Sequence, residues 1–421
     1  MTADQHPFRI ANFRAYWAAR FAMTIAQNGM IIVIGWQCYT IARETMSPSA
    51  AAAKLGLIGF LQFVPLFVTT PITGWVADRF DRRWIARGTV ALQLACALVL
   101  ALFTYRSAMS LEVLFTVAVV LGLARAFSGP AFSALAPNLV PREILPTAIA
   151  LSSISWQVGT IIGPAVGGYA YAITPSAAYF LATVLFGLAL IAMFLITPVA
   201  RSIAASKAHP IKQIVDGLFY VWQNKMVLGT ITLDLFAVFL AGTSALLPIY
   251  AHDILHVGPR GLSELAAAPA VGAAVIALIF SFRPLKTNVG PKMLIAVLIY
   301  GVATVVFGLS TAMPLSLIAL TIAGGADMFS VYIRQSLIQL YTPDDMRGRV
   351  GAVSQLTISA SNELGEAESG FLASLAGPVG AVLVGGGGAI VVTILWTYLF
   401  PVIRRARSFE PPTGHKQMET A

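Results

Sequence analysis

Three carboxylates stand close together in SNELGEAESG at 361–370: Glu363, Glu366 and Glu368, with Asn362 beside them. A helix over this stretch puts Asn362, Glu363 and Glu366 on neighbouring parts of one face and turns Glu368 roughly opposite. The flanking residues are apolar, and three acids cannot all stay charged in a dry interior. A carboxyl group that takes up and releases a proton is the chemistry this pattern offers. Arg20, Arg125, Asp234, Asp327 and Arg334 also lie in apolar runs. Charges there are costly and usually face a cavity or a partner. No histidine falls in the middle of such a run: His252 and His256 lie at the end of one, and the others in tails and loops. Carboxylates are therefore the expected proton carriers, with Glu366 first and Asp234 second. For Glu363 and Glu368 a plainer reading stands beside this one, contact with cytoplasmic water or with Arg349. Gln27, Asn28, Trp36 and Trp156 suit a cavity for a large, partly polar ligand, although the two tryptophans suit a core position equally well.

Long apolar helices must position these groups. Mean hydropathy is +0.80 and only 11% of residues are charged, which excludes a soluble protein. A bilayer core needs about 20 apolar residues per helix. Twelve spans are predicted, at roughly 15–42, 51–77, 85–105, 112–138, 147–172, 176–198, 227–250, 262–282, 292–311, 315–341, 350–375 and 379–402. The net charge of +9 does not point to nucleic acid. Most Lys and Arg fall in the tails and alternate loops, while the intervening loops hold only Arg43, Lys54, Arg106 and Arg260. That asymmetry places both termini in the cytoplasm. No cleavable signal is expected at the N-terminus. Cys38 and Cys96 both lie in apolar spans, so no disulfide framework is expected.

The chain divides into a six-span bundle (1–198), a linker (199–226), and a second six-span bundle with a short basic tail (227–421). Within the linker, Ile211, Ile214, Val215, Leu218, Phe219 and Val221 alternate with polar residues, which predicts an amphipathic helix on the cytoplasmic membrane face. An internal repeat supports the two halves. Aligning Pro141 with Pro343 sets Gly163 on Gly365, Pro164 on Glu366 and Gly168 on Gly370. The same offset sets Arg125 on Asp327, so an Arg–Asp pair across a pseudo-two-fold axis is one expectation and a static salt bridge the other. In the first copy Gly159, Gly163 and Gly167 recur every fourth residue and form a face for close helix packing. The loop DRFDRRW at 78–84 lies opposite TNVGPKM at 287–293.

The loop GWVADRFDRRW carries Gly74, Asp78, Arg79, Asp81, Arg82 and Arg83 between spans two and three. Here the chain resembles the major facilitator superfamily, whose loop at this place reads G-x-x-x-D-R-x-G-R-R. The sequence departs at Asp81, where the family has Gly; Asp tolerates a left-handed turn less well, so a looser turn is expected. The resemblance implies that this loop latches the cytoplasmic side, with Asp78 facing the start of span eleven near Arg349. GTIIGPAVGG (Gly159, Gly163, Pro164, Gly167, Gly168) is similar to the span-five motif of the superfamily's exporters. The alternative for that stretch is ordinary tight packing. Arg125 in LARAFSGP sits where proton-coupled relatives carry a basic residue. LDLFAVFLAGTSALLPIYA at 233–251 and NELGEAESG at 362–370 are similar to the bacterial enterobactin-exporter and drug:proton-antiporter subgroup.

These observations imply an all-α membrane protein of the superfamily's twelve-helix fold, built as two pseudo-symmetric six-helix bundles. The implied activity is export of a siderophore or amphipathic drug-like compound from cytoplasm to periplasm, in exchange for protons, across a bacterial inner membrane. The alternatives are a lipid or lysophospholipid mover, a divalent-metal exporter and, less favoured, a non-transporting membrane sensor. No phosphate loop, nucleophile elbow or zinc-ligand cluster is present, so neither ATP drive nor enzyme chemistry is expected. The expected energy source is the proton gradient, with no bound cofactor or metal. The partners are a small-molecule substrate, protons and membrane lipid, without nucleic acid, and the resemblance implies a monomer.

Overall fold

The computed structural model describes residues 6–198, 210–283, 285–343 and 346–409. Among them the chain is helical, without strands. Six long helices come first: α1 (Ala11–Thr45), α2 (Pro48–Arg79), α3 (Arg82–Tyr105), α4 (Leu111–Leu135), α5 (Leu145–Ile173) and α6 (Pro175–Phe194). The linker helix α7 (Pro210–Gln223) follows, then α8 (Lys225–Leu240), α9 (Leu247–Ile249), α10 (Gly258–Phe282), α11 (Val289–Leu309), α12 (Met313–Leu340), α13 (Arg347–Leu399) and α14 (Pro401–Arg405). Short polar residues start several of them. Ser47 Oγ accepts from Ala50 N ahead of Pro48, Thr174 Oγ1 from Ala177 N ahead of Pro175, and Asn224 Oδ1 from Met226 N and Val227 N. Such caps satisfy amides that have no partner in the helix, and proline at the first position loses nothing.

Two spans depart from simple rods. The 53-residue α13 holds both the eleventh and twelfth expected spans. They part at Gly377, whose φ of 75° and ψ of 164° are open to glycine and strained for other residues, and Pro378 follows. Twelve spans therefore stand, two of them in one merged helix. Span seven, expected as one helix over 227–250, is interrupted. It runs as α8, breaks over 241–246, and resumes as α9 and a π-turn at Tyr250–Ile254. Gly242 weakens the helix at the break, and Pro248 cannot donate to the turn before it. The Ala241 carbonyl exposed there accepts from Thr243 N (2.7 Å) and from the Tyr300 hydroxyl (3.1 Å).

Two compact units result, one of 1–210 with 245–267 and the other of 211–244 with 268–421. The changeover falls at the break in span seven and again within α10. In the first unit the glycine face of α5 lies on α1 at backbone distance. A Cβ on Gly163 would meet Asn28 Cβ at 2.7 Å and Ile25 O at 2.8 Å, and one on Gly167 would meet Gly29 Cα at 2.6 Å. Gly159 faces Thr24 in the same way, Gly168 faces Ser263, and Pro164 is buried between them. The second unit repeats this contact: a Cβ on Gly365 of α13 would meet Phe239 O of α8 at 2.8 Å. The repeat predicted from sequence is thus a repeat of packing. Gly163→Leu is expected to cost about 3 kcal/mol or more, because the obstruction is backbone and overpacking costs about 1–3 kcal/mol even where side chains can yield. Loss of monodisperse protein in detergent, with Gly88→Leu in open space as the tolerated control, checks it.

The loop after α2 also differs from expectation. Asp81 has φ −66° and ψ 114°, so it is extended rather than left-handed. Its carboxylate caps α3 by accepting from Arg83 N (3.0 Å) and holds the Arg83 guanidinium at 2.6 Å. Aspartate here is a helix start, which glycine could not supply. The left-handed residue is in the repeat-related loop, at Asn288 (φ 53°), which bonds Arg407 at the C-terminal end of the described chain. Arg87, expected only as a topogenic charge, is buried and donates to the Met193 and Ile196 carbonyls at the end of α6.

Candidate functional site

The second unit gathers the most chemistry. Asp327, Ser330 and Arg334 recur on α12 at spacings of three and four, so they share one helical face. Across from them, Asp234 of α8 forms an ion pair with Arg334. Both are buried, with side chains 9% and 4% exposed. Asp234, Asp327, Ser330, Ala237, Val238, Val297 and Tyr300 line one small pocket. Tyr300 reaches from this pocket to the Ala241 carbonyl, so the pocket lies directly against the break in span seven. Two carboxyls thus face one guanidinium. Asp234 holds it, and Asp327 accepts no hydrogen bond and makes no ion pair with a described residue.

The span-eleven acids sit in the same unit on α13. Glu363 is buried at 7% exposure, Glu366 and Glu368 are half-buried, and Asn362 is exposed. The predicted common face therefore separates by burial at Asn362. Ser369 Oγ lies 3.5 Å from Glu368. Glu366 follows Gly365 at the point where α13 touches α8, and the Glu366 amide lies against Gly242 of the span-seven break.

In the first unit Arg125 donates to Gln62 Oε1 at 3.2 Å. Gln27 bonds the fully buried Gln93 at 2.5 Å, and Asn28 bonds the Thr24 carbonyl one turn back. Trp156 is 50% exposed, whereas Trp36 is 7% exposed and faces the His252 ring. Gly74 and Asp78 belong to the last turns of α2, but their side chains lie outside the described residues. Arg79 is exposed and Arg82 half-buried. Arg349, expected opposite Asp78, lies 3.5 Å from Asp216 of α7.

Sequence reasoning missed a cluster at the end of span seven remote from the basic loops. Asp253 accepts from the Tyr39 hydroxyl, and its carboxylate lies 2.5 Å from His252 Nδ1 and 3.5 Å from Arg43 Nε. Arg43 and His252 were visible as loop-end residues, but nothing in the sequence pairs residues over two hundred positions apart. Asp253→Asn is expected to destabilise by about 1–2 kcal/mol, the range for a half-exposed charged hydrogen-bond acceptor. A lowered unfolding temperature, reproduced by Arg43→Gln and not deepened in the double variant, checks it.

Residues 16–366 match the family model described as Major Facilitator Superfamily. Among curated proteins, the enterobactin exporter EntS of Citrobacter koseri is 26% identical over 411 residues, covering 95% of this chain and 94% of that one. EntS of Shigella boydii is 25% identical over 408 residues, with the same coverage. Among solved structures, a POT family transporter in complex with 5-aminolevulinic acid superposes with a TM-score of 0.72 at 14% identity, over 94% of this chain and 97% of that one. A D-xylose–proton symporter gives 0.71 at 12% identity, over 91% and 96%. These structures share the fold alone. With its apolar spans, its repeated packing and a family match over most of its length, the chain is a multi-pass membrane transporter that belongs to the Major Facilitator Superfamily.

Proposed function

We propose that the protein exports a siderophore or a related amphipathic compound from cytoplasm to periplasm across the inner membrane, in exchange for protons. The full-length similarity to proteins named enterobactin exporter carries the substrate class. The coupling rests on two carboxyls set against one buried guanidinium beside the break in span seven. In this reading Asp327 takes the proton, and the Asp234–Arg334 pair keeps the pocket's charge balanced as it does so. Glu366, at the α8–α13 contact, couples span eleven to the same change, with Glu363 and Glu368 beside it. Gln27, Asn28, Asn362, Trp156 and Arg125 meet the substrate or its path. The loop bearing Gly74, Asp78, Arg79, Asp81, Arg82 and Arg83 closes the cytoplasmic side, and the span-five glycines hold α5 on α1. A discontinuous helix beside a binding pocket is a recurrent device in transporters, because it frees backbone groups to meet a ligand or ion.

The test is a thermal-shift panel on purified protein, at two pH values, followed by flux in everted vesicles. The panel holds a catechol siderophore, a lipophilic cation, a lysophospholipid and a divalent metal. A ligand at about a hundred times its Kd adds about 2.7 kcal/mol, which is readily seen. Stabilisation by an organic compound, with release of an imposed proton gradient when it is added to vesicles, is the expected result. Stabilisation by lysophospholipid or metal alone would replace the siderophore class, and flux without proton movement would remove the coupling.

A further inference from the structure

The linker helix α7 has two faces with different work. Val215, Leu218, Phe219 and Trp222 recur at helical spacing and are 55%, 52%, 65% and 75% exposed, an uncovered apolar stripe on one side. The other side grips the ends of α12 and α13. A Cβ on Gly217 would meet Arg349 O at 2.7 Å, so this face seats on the backbone at the start of span eleven. The Tyr220 hydroxyl donates to Tyr341 O at 2.6 Å, Asp216 lies 3.5 Å from Arg349, and Val221 is buried with Ile338, Val350 and Val353.

We infer that α7 is a membrane-surface anchor: its stripe lies in the cytoplasmic leaflet, and its opposite face fixes the start of span eleven to that leaflet. Position selects the occupant. α7 ends at Gln223 and span seven starts at Lys225, so the stripe stands one residue from a helix that enters the bilayer. Charge agrees, since Lys212, Lys225, Arg347 and Arg349 supply cations in and around this helix for an anionic lipid surface. An amphipathic helix of this kind settles its apolar side about 5–10 Å into the boundary between headgroups and chains. Span eleven carries Glu363, Glu366 and Glu368, so the grip places those acids at a depth set by the bilayer. The inference goes beyond transport and rests on the proposed orientation only for the leaflet's name.

Because Cys38 and Cys96 are buried, single cysteines can be spin-labelled in the otherwise native chain. Labels at Leu218→Cys and Phe219→Cys, in vesicles of phosphatidylcholine with and without phosphatidylglycerol, are expected to meet oxygen and exclude a water-soluble nickel reagent. A label at Gln223→Cys should meet the nickel reagent. Stripe labels in water, broadening between labels on two copies, or labels shielded from both reagents would overturn the anchor. The grip is read by a label at Gly351→Cys, which has open space around it. The double variant Asp216→Asn with Tyr220→Phe should raise that label's mobility by about twofold or more, and Asp216→Glu alone should not. No change in the double variant would overturn the link to span eleven. Neither readout involves flux, so failure here leaves the export reading standing.

Discussion

Asp234→Asn is expected to cost about 3–5 kcal/mol and most of the folded protein, because it leaves the Arg334 guanidinium buried without its counter-charge. Arg334 is 4% exposed, and water cannot reach it in compensation. The pair itself need not be net stabilising, since removing two charges from water costs about as much as their attraction returns. That separates structure from function. The double variant Asp234→Leu with Arg334→Met removes both charges and fills similar volume, so it should recover much of the lost stability. If the pair serves coupling, this double variant folds and still fails to exchange substrate for protons. Thermal unfolding of the three variants, with flux on the double variant, decides the matter. A double variant with full coupled flux would make the pair a packing device alone.

Much of this architecture was legible in the chain because membrane helices obey a strong local rule. Each span must satisfy its own backbone, so length and hydropathy locate it without knowledge of its neighbours. The repeat extended that reach. Gly163 predicts a close backbone approach, and the offset carried the prediction to Gly365, where the same contact occurs. Partnership was less legible. Asp234 and Arg334 were both visible as costly charges, but which charge meets which depends on how α8 and α12 are rotated against each other. The same holds for Asp253 with Tyr39 and for Asp216 with Arg349. Asp81 was misread for another reason. The family's glycine at that place suggested a left-handed turn, whereas the side chain offered a helix cap, and the cap decides the geometry. The break in span seven had its signals in Gly242 and Pro248, which a hydropathy window averages away.

Asp327→Asn is expected to do the reverse of Asp234→Asn. Asp327 makes no ion pair or hydrogen bond with a described residue, so an uncharged side chain of the same shape leaves stability nearly unchanged. What it removes is the carboxyl left over when Arg334 has taken Asp234. Proton-driven accumulation should fall by about a hundredfold, the lower end of what a positioned proton carrier contributes. Substrate exchange without a gradient should continue, and its rate should lose its dependence on pH. Glu366→Gln provides the comparison. If Glu366 carries the proton, that variant is uncoupled and Asp327→Asn is not; if both are uncoupled, the proton passes between span ten and span eleven during the cycle. Full proton-driven flux in both variants would remove the two carboxyls from the mechanism and leave Asp234 as the remaining acid of the pocket. The measurement is the ratio of accumulated to exchanged substrate in everted vesicles over pH 5.5 to about 8.5, where an unperturbed aspartate would already be ionised throughout.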